Sequence, residues 1–282
     1  MKKLGFVIIN YNDYESTKIL LDNIKDYKAI NKIVIVDNNS TDNSFNKLKK
    51  LEDKNIEIIK NNNRSYASGL NKGAKYLIND YKELNIIFSN SDIIIKDEET
   101  LKKLNSNLKE NIGVLAPTIN THGVISKGWP IPTVGKEILF NIPLISRYYR
   151  NKYLNYEEGY YKDNIMKVDV VSGCFFLVNS KALEEINFFD ENTKLYYEEN
   201  ILSKKLEKTK YYEAVELDTE IIHNHSVTID KNITNINKYK ILKESQRYYV
   251  INYLKYNKFN LFLLDFTNKL SLIILYIRKL FK

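Results

Sequence analysis

Asn85-Ile86-Ile87-Phe88-Ser89-Asn90-Ser91-Asp92 is the stretch on which the fold turns. Its apolar part, Ile86 to Phe88, reads as a buried strand, and it stops abruptly at small polar residues ending in a carboxylate. In open α/β sheets, ligands bind just beyond the carboxyl ends of the strands. An Asn-Ser-Asp placed there can offer hard oxygen atoms to a divalent cation carrying a diphosphate. Ser, Asn and Asp also fill turns and helix N-caps for local hydrogen-bonding reasons, and this stretch alone fits such a turn better. Its surroundings have to decide.

Outward from it the same punctuation recurs. Leu4 to Ile9 is an apolar run closed by Asn10-Tyr11-Asn12-Asp13, and Ile33 to Val36 is closed by Asp37-Asn38-Asn39-Ser40-Thr41-Asp42. Ile56 to Ile59 leads into the polar stretch Asn61 to Gly69. Helical spacing fills the gaps, at Ile19, Leu20, Asn23 and Ile24, at Phe45, Leu48 and Leu51, from Leu70 to Ile78 and from Leu101 to Leu108; Val114 to Ala116 is a fifth short strand. Buried runs alternating with amphipathic helices predict an α/β fold with a mostly parallel sheet flanked by helices.

The chain then changes character. His122 to Pro132 reads as a loop or hairpin, and Ile138 to Tyr161 is aromatic and basic without a clear period. Val168 to Val178 returns to strand with a break at Ser172-Gly173. Lys181 to Ile186 and Leu195 to Leu206 read as helices, Ala214 to Ile222 as strand, and the chain from Ile236 onward as helical.

With 282 residues there is room for one large domain and an appendage. A net charge of +8 suits an anionic partner such as a nucleotide, an anionic membrane surface or a nucleic acid, but Lys is spread throughout and the charge selects none of them. The single cysteine, Cys174, excludes an intramolecular disulfide and reads as a small buried residue. Three histidines and no cysteine cluster speak against structural zinc. The run Leu4 to Ile9 is too short for a signal peptide, so a cytosolic location is expected.

Asp37 follows four β-branched residues, so its carboxylate should stand at a strand's carboxyl edge, where it can accept hydrogen bonds from a ribose or a base. No Gly-x-Gly-x-x-Gly follows the first strand and no P-loop occurs, against an ordinary dinucleotide enzyme or a P-loop NTPase.

At this point the residues match a family. Asn10-Tyr11-Asn12, Val36 to Asp42, Asn63 through Tyr66-Ala67-Ser68-Gly69-Leu70-Asn71, and Asn90-Ser91-Asp92 together resemble the family 2 glycosyltransferases, most closely a rhamnosyltransferase-like bacterial branch that builds surface polysaccharides. The resemblance implies the A-type nucleotide-sugar-binding fold (GT-A), with residues 1–230 as catalytic domain, 1–117 its donor half and 118–230 its acceptor half, and 231–282 a C-terminal helical extension. It implies that Asp37, Asn10 and Asn12 line a pocket for a UDP- or dTDP-sugar, with Asn63, Asn71 and Asn90 on the same donor side. Asp92 would hold Mg²⁺ or Mn²⁺. Two departures stand out: Asn90 replaces a carboxylate, and Ser65 replaces a common Gly, which would restrict φ.

The match continues at Asp169 to Leu177, at Phe189-Asp190-Glu191 and at Leu195-Tyr196-Tyr197-Glu198-Glu199. Glu199 stands at the position of the catalytic base. Adjacent helical residues point about 100° apart, so Glu198 is not expected to face the same hydroxyl. Ile201 replaces a usual second Asp. The acidic pair also suits the first turn of any helix. His223-Asn224-His225-Ser226-Val227-Thr228 matches a His-x-x-Ser-x-Thr segment, which makes His223 a candidate for the metal or a phosphate oxygen and leaves His225 on an unspecified position. Lys127 and Arg147 are candidate phosphate contacts.

The expected activity is inverting transfer of a sugar to a saccharide or lipid-linked glycan, with no nucleic acid among the partners. A nucleotidyltransferase, or a non-catalytic module that binds nucleotide sugar, is the alternative. In the tail, Asp265, Lys269 and Arg278 interrupt the apolar run from Phe259, and Leu270 to Ile277 is too short for about 20 residues of bilayer. Peripheral contact with the inner face of the cell membrane, or packing on the domain or a second subunit, is expected instead.

Overall fold

The computed structural model describes residues 2–62, 65–81, 83–143, 145–224 and 235–280. Its first half is a run of βα units: β1 (Lys3–Asn10), α1 (Tyr14–Ile24), β2 (Lys32–Asp37), α2 (Ser44–Lys49), β3 (Ile56–Lys60), α3 (Tyr66–Asp80) and β4 (Leu84–Asn90). These strands are parallel in the order β3-β2-β1-β4, with Asn10 opposite Asp37 and Ile9 opposite Asn90. Alternation along β1 explains why both faces are apolar: Val7 and Ile9 enter one core, and Leu4, Phe6 and Ile8 the other. α3 lies close on the sheet at Gly73, where a Cβ would stand 2.5 Å from a Val7 methyl.

The second half extends the sheet and mixes its direction. β5 (Ile93–Ile95), α4 (Glu98–Asn107), β6 (Ile112–Thr121), β7 (Val124–Ser126), α5 (Val134–Leu139), α6 (Ser146–Tyr153), β8 (Ile165–Val168), β9 (Phe175–Asn179), α7 (Ser180–Glu185), α8 (Glu198–Leu206) and β10 (Tyr212–His223) follow. The sheet path is β3-β2-β1-β4-β9-β6-β10-β5, with β7 added to β6 and β8 to β10. β9 is antiparallel to both β4 and β6. The expected break at Ser172-Gly173 is where the chain changes neighbours: β8 pairs with β10, whereas β9 lies between β4 and β6.

Ser65 does not need the freedom of the Gly it replaces. It has φ −85° and ψ 146°, and its hydroxyl caps α3 by accepting from Ser68 N at 3.1 Å. α8 starts later than the expected Leu195, because Tyr196 and Tyr197 take left-handed φ of +75° and +71°.

The C-terminal extension is α9 (Asn235–Tyr253) and α10 (Lys258–Leu280). Val250 and Leu264 pack with Val134 and Ile138 of α5 in a separate small core. Contrary to the expectation from its interrupting charges, Lys258–Ile277 is long and apolar enough to cross a membrane by length and composition, with mean hydropathy 1.4.

Candidate active site

The polar residues that end β1 and β2 and follow β3 form one hydrogen-bonded lattice along the sheet edge. Asp37 is fully buried, and its two oxygens accept from Asn10 Nδ2 at 2.8 Å and Ser40 N at 3.0 Å. Asn10 in turn accepts from Thr17 Oγ1 at 2.8 Å. Asn12 sits at φ +50° and accepts from Thr41 N at 2.7 Å, fastening the loop after β1 to the loop after β2. Asn61 donates to Asn38 Oδ1 (2.7 Å) and Ser68 Oγ (2.8 Å), and so ties β3 to the first turn of α3. The structure therefore brings Asn10, Asn12 and Asp37 together. Asn63 and His225 lie outside the described residues.

Asn90 and Asp92 have different surroundings. Asn90 Oδ1 accepts the Tyr66 hydroxyl at 2.8 Å, and its N–H donates to Cys174 O at 2.8 Å. Asp92 Oδ1 stands 3.3 Å from His223 Nε2, and both residues are buried. The pair meets because β10 runs antiparallel to β5 with His223 opposite Ile93, the residue after Asp92. Burial lowers the His223 pKa, but hydrogen bonds to Asp92 and Cys174 outweigh it and push it up to about 10. One carboxylate and one imidazole do not enclose an ion, and no group of three or more His, Cys, Asp or Glu suited to a metal occurs among the described residues. The pair does fit Mg²⁺ or Mn²⁺ carried by a diphosphate, since such ions are commonly held by one or two protein ligands plus phosphate oxygens and water.

Across the Gly173-Cys174 turn lie the acids of α8. A small cavity is lined by Tyr66, Leu70, Val171, Gly173, Phe176, Phe189, Leu202 and both Glu198 and Glu199. A Cβ at Gly173 would stand 3.7 Å from the Glu199 carboxyl. Glu198 and Glu199 both line this cavity, as consecutive residues can in the first turn of a helix, and which of them faces an acceptor hydroxyl belongs to the proposed function. Burial raises the pKa of each, and the Glu199 charge raises Glu198 further. Tyr66 is also held well above its usual value, by burial first, so it remains a neutral donor to Asn90.

Glu198 Oε1 has no hydrogen-bond partner among the described residues. A buried carboxyl with a raised folded-state pKa costs nothing below its unfolded pKa of about 4.3 and costs progressively more as pH rises above it. Glu198→Gln is therefore expected to stabilise the protein by about 1–3 kcal/mol at neutral pH. Melting curves between pH 4 and 8 check this, since the gain should vanish at the acid end. A gain independent of pH would mean that the charge is not the cause.

Residues not singled out in the sequence support these acids. The Tyr197 hydroxyl donates to buried Glu137 Oε2 (2.7 Å), which also accepts from Gln246 Nε2 (2.6 Å). From α9, Ser245 Oγ donates to Leu195 O (2.8 Å) and the Tyr248 hydroxyl to Asp190 Oδ2 (2.7 Å). Asn71, expected on the donor side, spends its amide on Phe189 O (2.9 Å), Glu191 Oε1 (2.7 Å) and Phe189 N (2.9 Å). It fastens the segment leading to the acids. Lys127 lies over the Tyr161 ring at 5.2 Å.

Residues 6–186, more than half of the chain, match the model described as Glycosyl transferase family 2. The chain belongs to that family. A low-salt glycan biosynthesis hexosyltransferase of Haloferax volcanii is 24% identical over 201 residues, which are 70% of this chain and 59% of that protein. Among solved structures, the mannosyltransferase PcManGT from Pyrobaculum calidifontis, in complex with GDP-Man and Mn²⁺, aligns with a TM-score of 0.59 at 14% identity, over 96% of this chain and 72% of that one. S. aureus TarS (residues 1–349) with UDP-GlcNAc gives 0.56 at 15%, over 92% and 69%. This family 2 chain therefore has the A-type glycosyltransferase fold, and it spans 59% of the length of the hexosyltransferase. Glu198, Glu199 and His223 lie beyond the residues matched by the family model.

Proposed function

We propose that the chain transfers a hexose from a UDP- or dTDP-sugar to a hydroxyl of a saccharide or lipid-linked glycan, with inversion, in the synthesis of a bacterial surface polysaccharide. The observation that carries this reading is the meeting of two groups distant in sequence: the Asp92–His223 pair and the Glu198–Glu199 carboxylates stand on either side of the Gly173-Cys174 turn, at the sheet edge that ends in Asn10, Asp37 and Asn90.

In this reading residues 1–117 hold the donor, 118–230 the acceptor, and the helices of 231–282 brace the acidic segment. Asp37, buried and fixed by Asn10 and Ser40, shapes the sheet edge against which the base or ribose binds, with Asn12 in the adjoining loop, and Asn63 is a further proposed contact of the donor. Asn90 holds Tyr66 in place on the donor side, and Asn71 acts through Glu191 and Phe189. Glu199 accepts the proton of the acceptor hydroxyl as its oxygen attacks the anomeric carbon, and the bond from that carbon to the diphosphate oxygen breaks. Mg²⁺ or Mn²⁺ held by Asp92 and His223 supplies positive charge against the departing diphosphate. His223 must give up its proton to serve as a ligand.

A thermal-shift screen of UDP, dTDP and GDP, each with and without Mn²⁺, tests the donor assignment. UDP or dTDP at 100 times its dissociation constant should stabilise the protein by about 2.7 kcal/mol. Stabilisation by GDP alone would replace the proposed base; stabilisation by none of them would remove the nucleotide-sugar reading.

A further inference from the structure

We infer that α10 is a docking surface for an anionic lipid leaflet and lies in its plane. Phe259, Phe262, Phe266, Leu270, Ile273 and Ile277 are between 38% and 65% exposed. At 100° per residue they fall within one stripe about 80° wide, which at 1.5 Å per residue runs for about 27 Å. Contiguous exposed apolar surface of this kind marks a contact site rather than ordinary surface.

Length and composition alone would also allow α10 to cross the bilayer, and its packing decides against that. The opposite face holds Leu264 and Thr267, buried on the domain. Asp265 pairs with Arg247 of α9 at 2.9 Å, and Ser271 Oγ donates to Asn141 O. Inserting the helix to full depth would carry these partners, with buried Glu137 and Lys243 beside them, into hydrocarbon. A helix held on one face and apolar on the other sits at the interface.

Charge selects the lipid. Lys255, Lys258 and Lys269 are exposed at the near end and edge of the stripe, and Lys240 stands 5.8 Å from the Tyr276 ring on the same edge. Arg278 and Lys279 follow in the sequence, and the one acid of the helix, Asp265, is already paired. A second copy seated on this stripe would bring two cationic rims together, whereas anionic headgroups complement the rim.

This inference needs no part of the proposed reaction, and its test reads binding rather than turnover. The full chain is floated with vesicles of phosphatidylcholine alone or with 30 mol% phosphatidylglycerol, in low and high salt, and its oligomeric state is measured by light scattering. The expected result is flotation at least ~10-fold greater with the anionic vesicles, reduced by salt. It should be lost in Phe262→Glu/Phe266→Glu and weakened in Lys255→Glu/Lys258→Glu, whose changes are confined to exposed side chains. No preference for anionic vesicles would overturn it. So would a dimer that Phe262→Glu/Phe266→Glu converts to a folded monomer.

Discussion

Glu199→Gln is expected to lower sugar transfer by about 100- to 10,000-fold, the usual contribution of a positioned general base, while nucleotide binding is retained. The amide keeps the shape of the side chain beside Gly173 but cannot take a proton. Glu198→Gln should leave far more activity, because Glu198 is the more deeply buried of the pair and lacks a partner for Oε1. Both carboxyls are raised above their ordinary range by burial, so the acid limb of kcat/KM should lie above that of a solvent-exposed glutamate. The measurement is initial rate of donor consumption from pH 4.5 to 8 for wild type and both variants, with nucleotide dissociation constants determined in parallel. If Glu198→Gln is the inactive variant, the base is one residue earlier. If both keep full rate, no carboxylate of α8 is the base.

The two acids can stand together because the chain before them is held in an uncommon conformation. Consecutive left-handed tyrosines, Tyr196 and Tyr197, cost roughly 1–3 kcal/mol each, and a bulky residue does not adopt that conformation unless its surroundings impose it. Here Glu137, Gln246, Ser245 and the Tyr249 ring, whose centroid is 5.3 Å from that of Tyr197, supply the restraint. The C-terminal extension is therefore part of the support for the acids, and deleting it would be a poor way to isolate a catalytic domain.

That dependence also shows what could and could not be read from the residues. β1, β2 and β4 were legible because each holds an unbroken apolar run closed by Asn or Asp, and β3 because Ile56, Ile58 and Ile59 lead, past a single Glu57 and Lys60, into the same kind of polar closure at one edge. β6 extends over ten residues rather than the expected three, because pairing with β10 continues through polar Thr118 and Asn120. Pro117, which cannot donate to the ladder, is accommodated by a register shift between Glu216 and Glu220. The segment Ile138 to Tyr161 gave no period because α6, its helix, has no buried residue. Asp92 and His223 could each be marked by their motifs. Their contact rests on β10 returning antiparallel to β5, a pairing between segments more than 120 residues apart that no local pattern specifies. The cavity shared by Glu198 and Glu199 is not specified by helix geometry alone, because the start of α8 is shaped by contacts from α9.

Asp92→Asn should give the second large effect, a fall in transfer of about 100-fold or more, together with a marked rise in the Mn²⁺ concentration needed for half-maximal rate. The substitution keeps an oxygen donor and nearly the same volume but removes the charge, and Asn90 beside it is neutral and already engaged with Tyr66. A purely structural Asp92 would behave differently. Breaking its buried pairing with His223 would cost stability, of the order of 3–5 kcal/mol for such pairs, and activity would fall with the folded fraction at an unchanged Mn²⁺ requirement. Melting temperature measured alongside Mn²⁺ titrations of rate separates the two. A destabilised variant with the wild-type half-saturating Mn²⁺ would leave the Asp92–His223 pair as a tie between β10 and the loop after β4, and the cation would have to be held elsewhere.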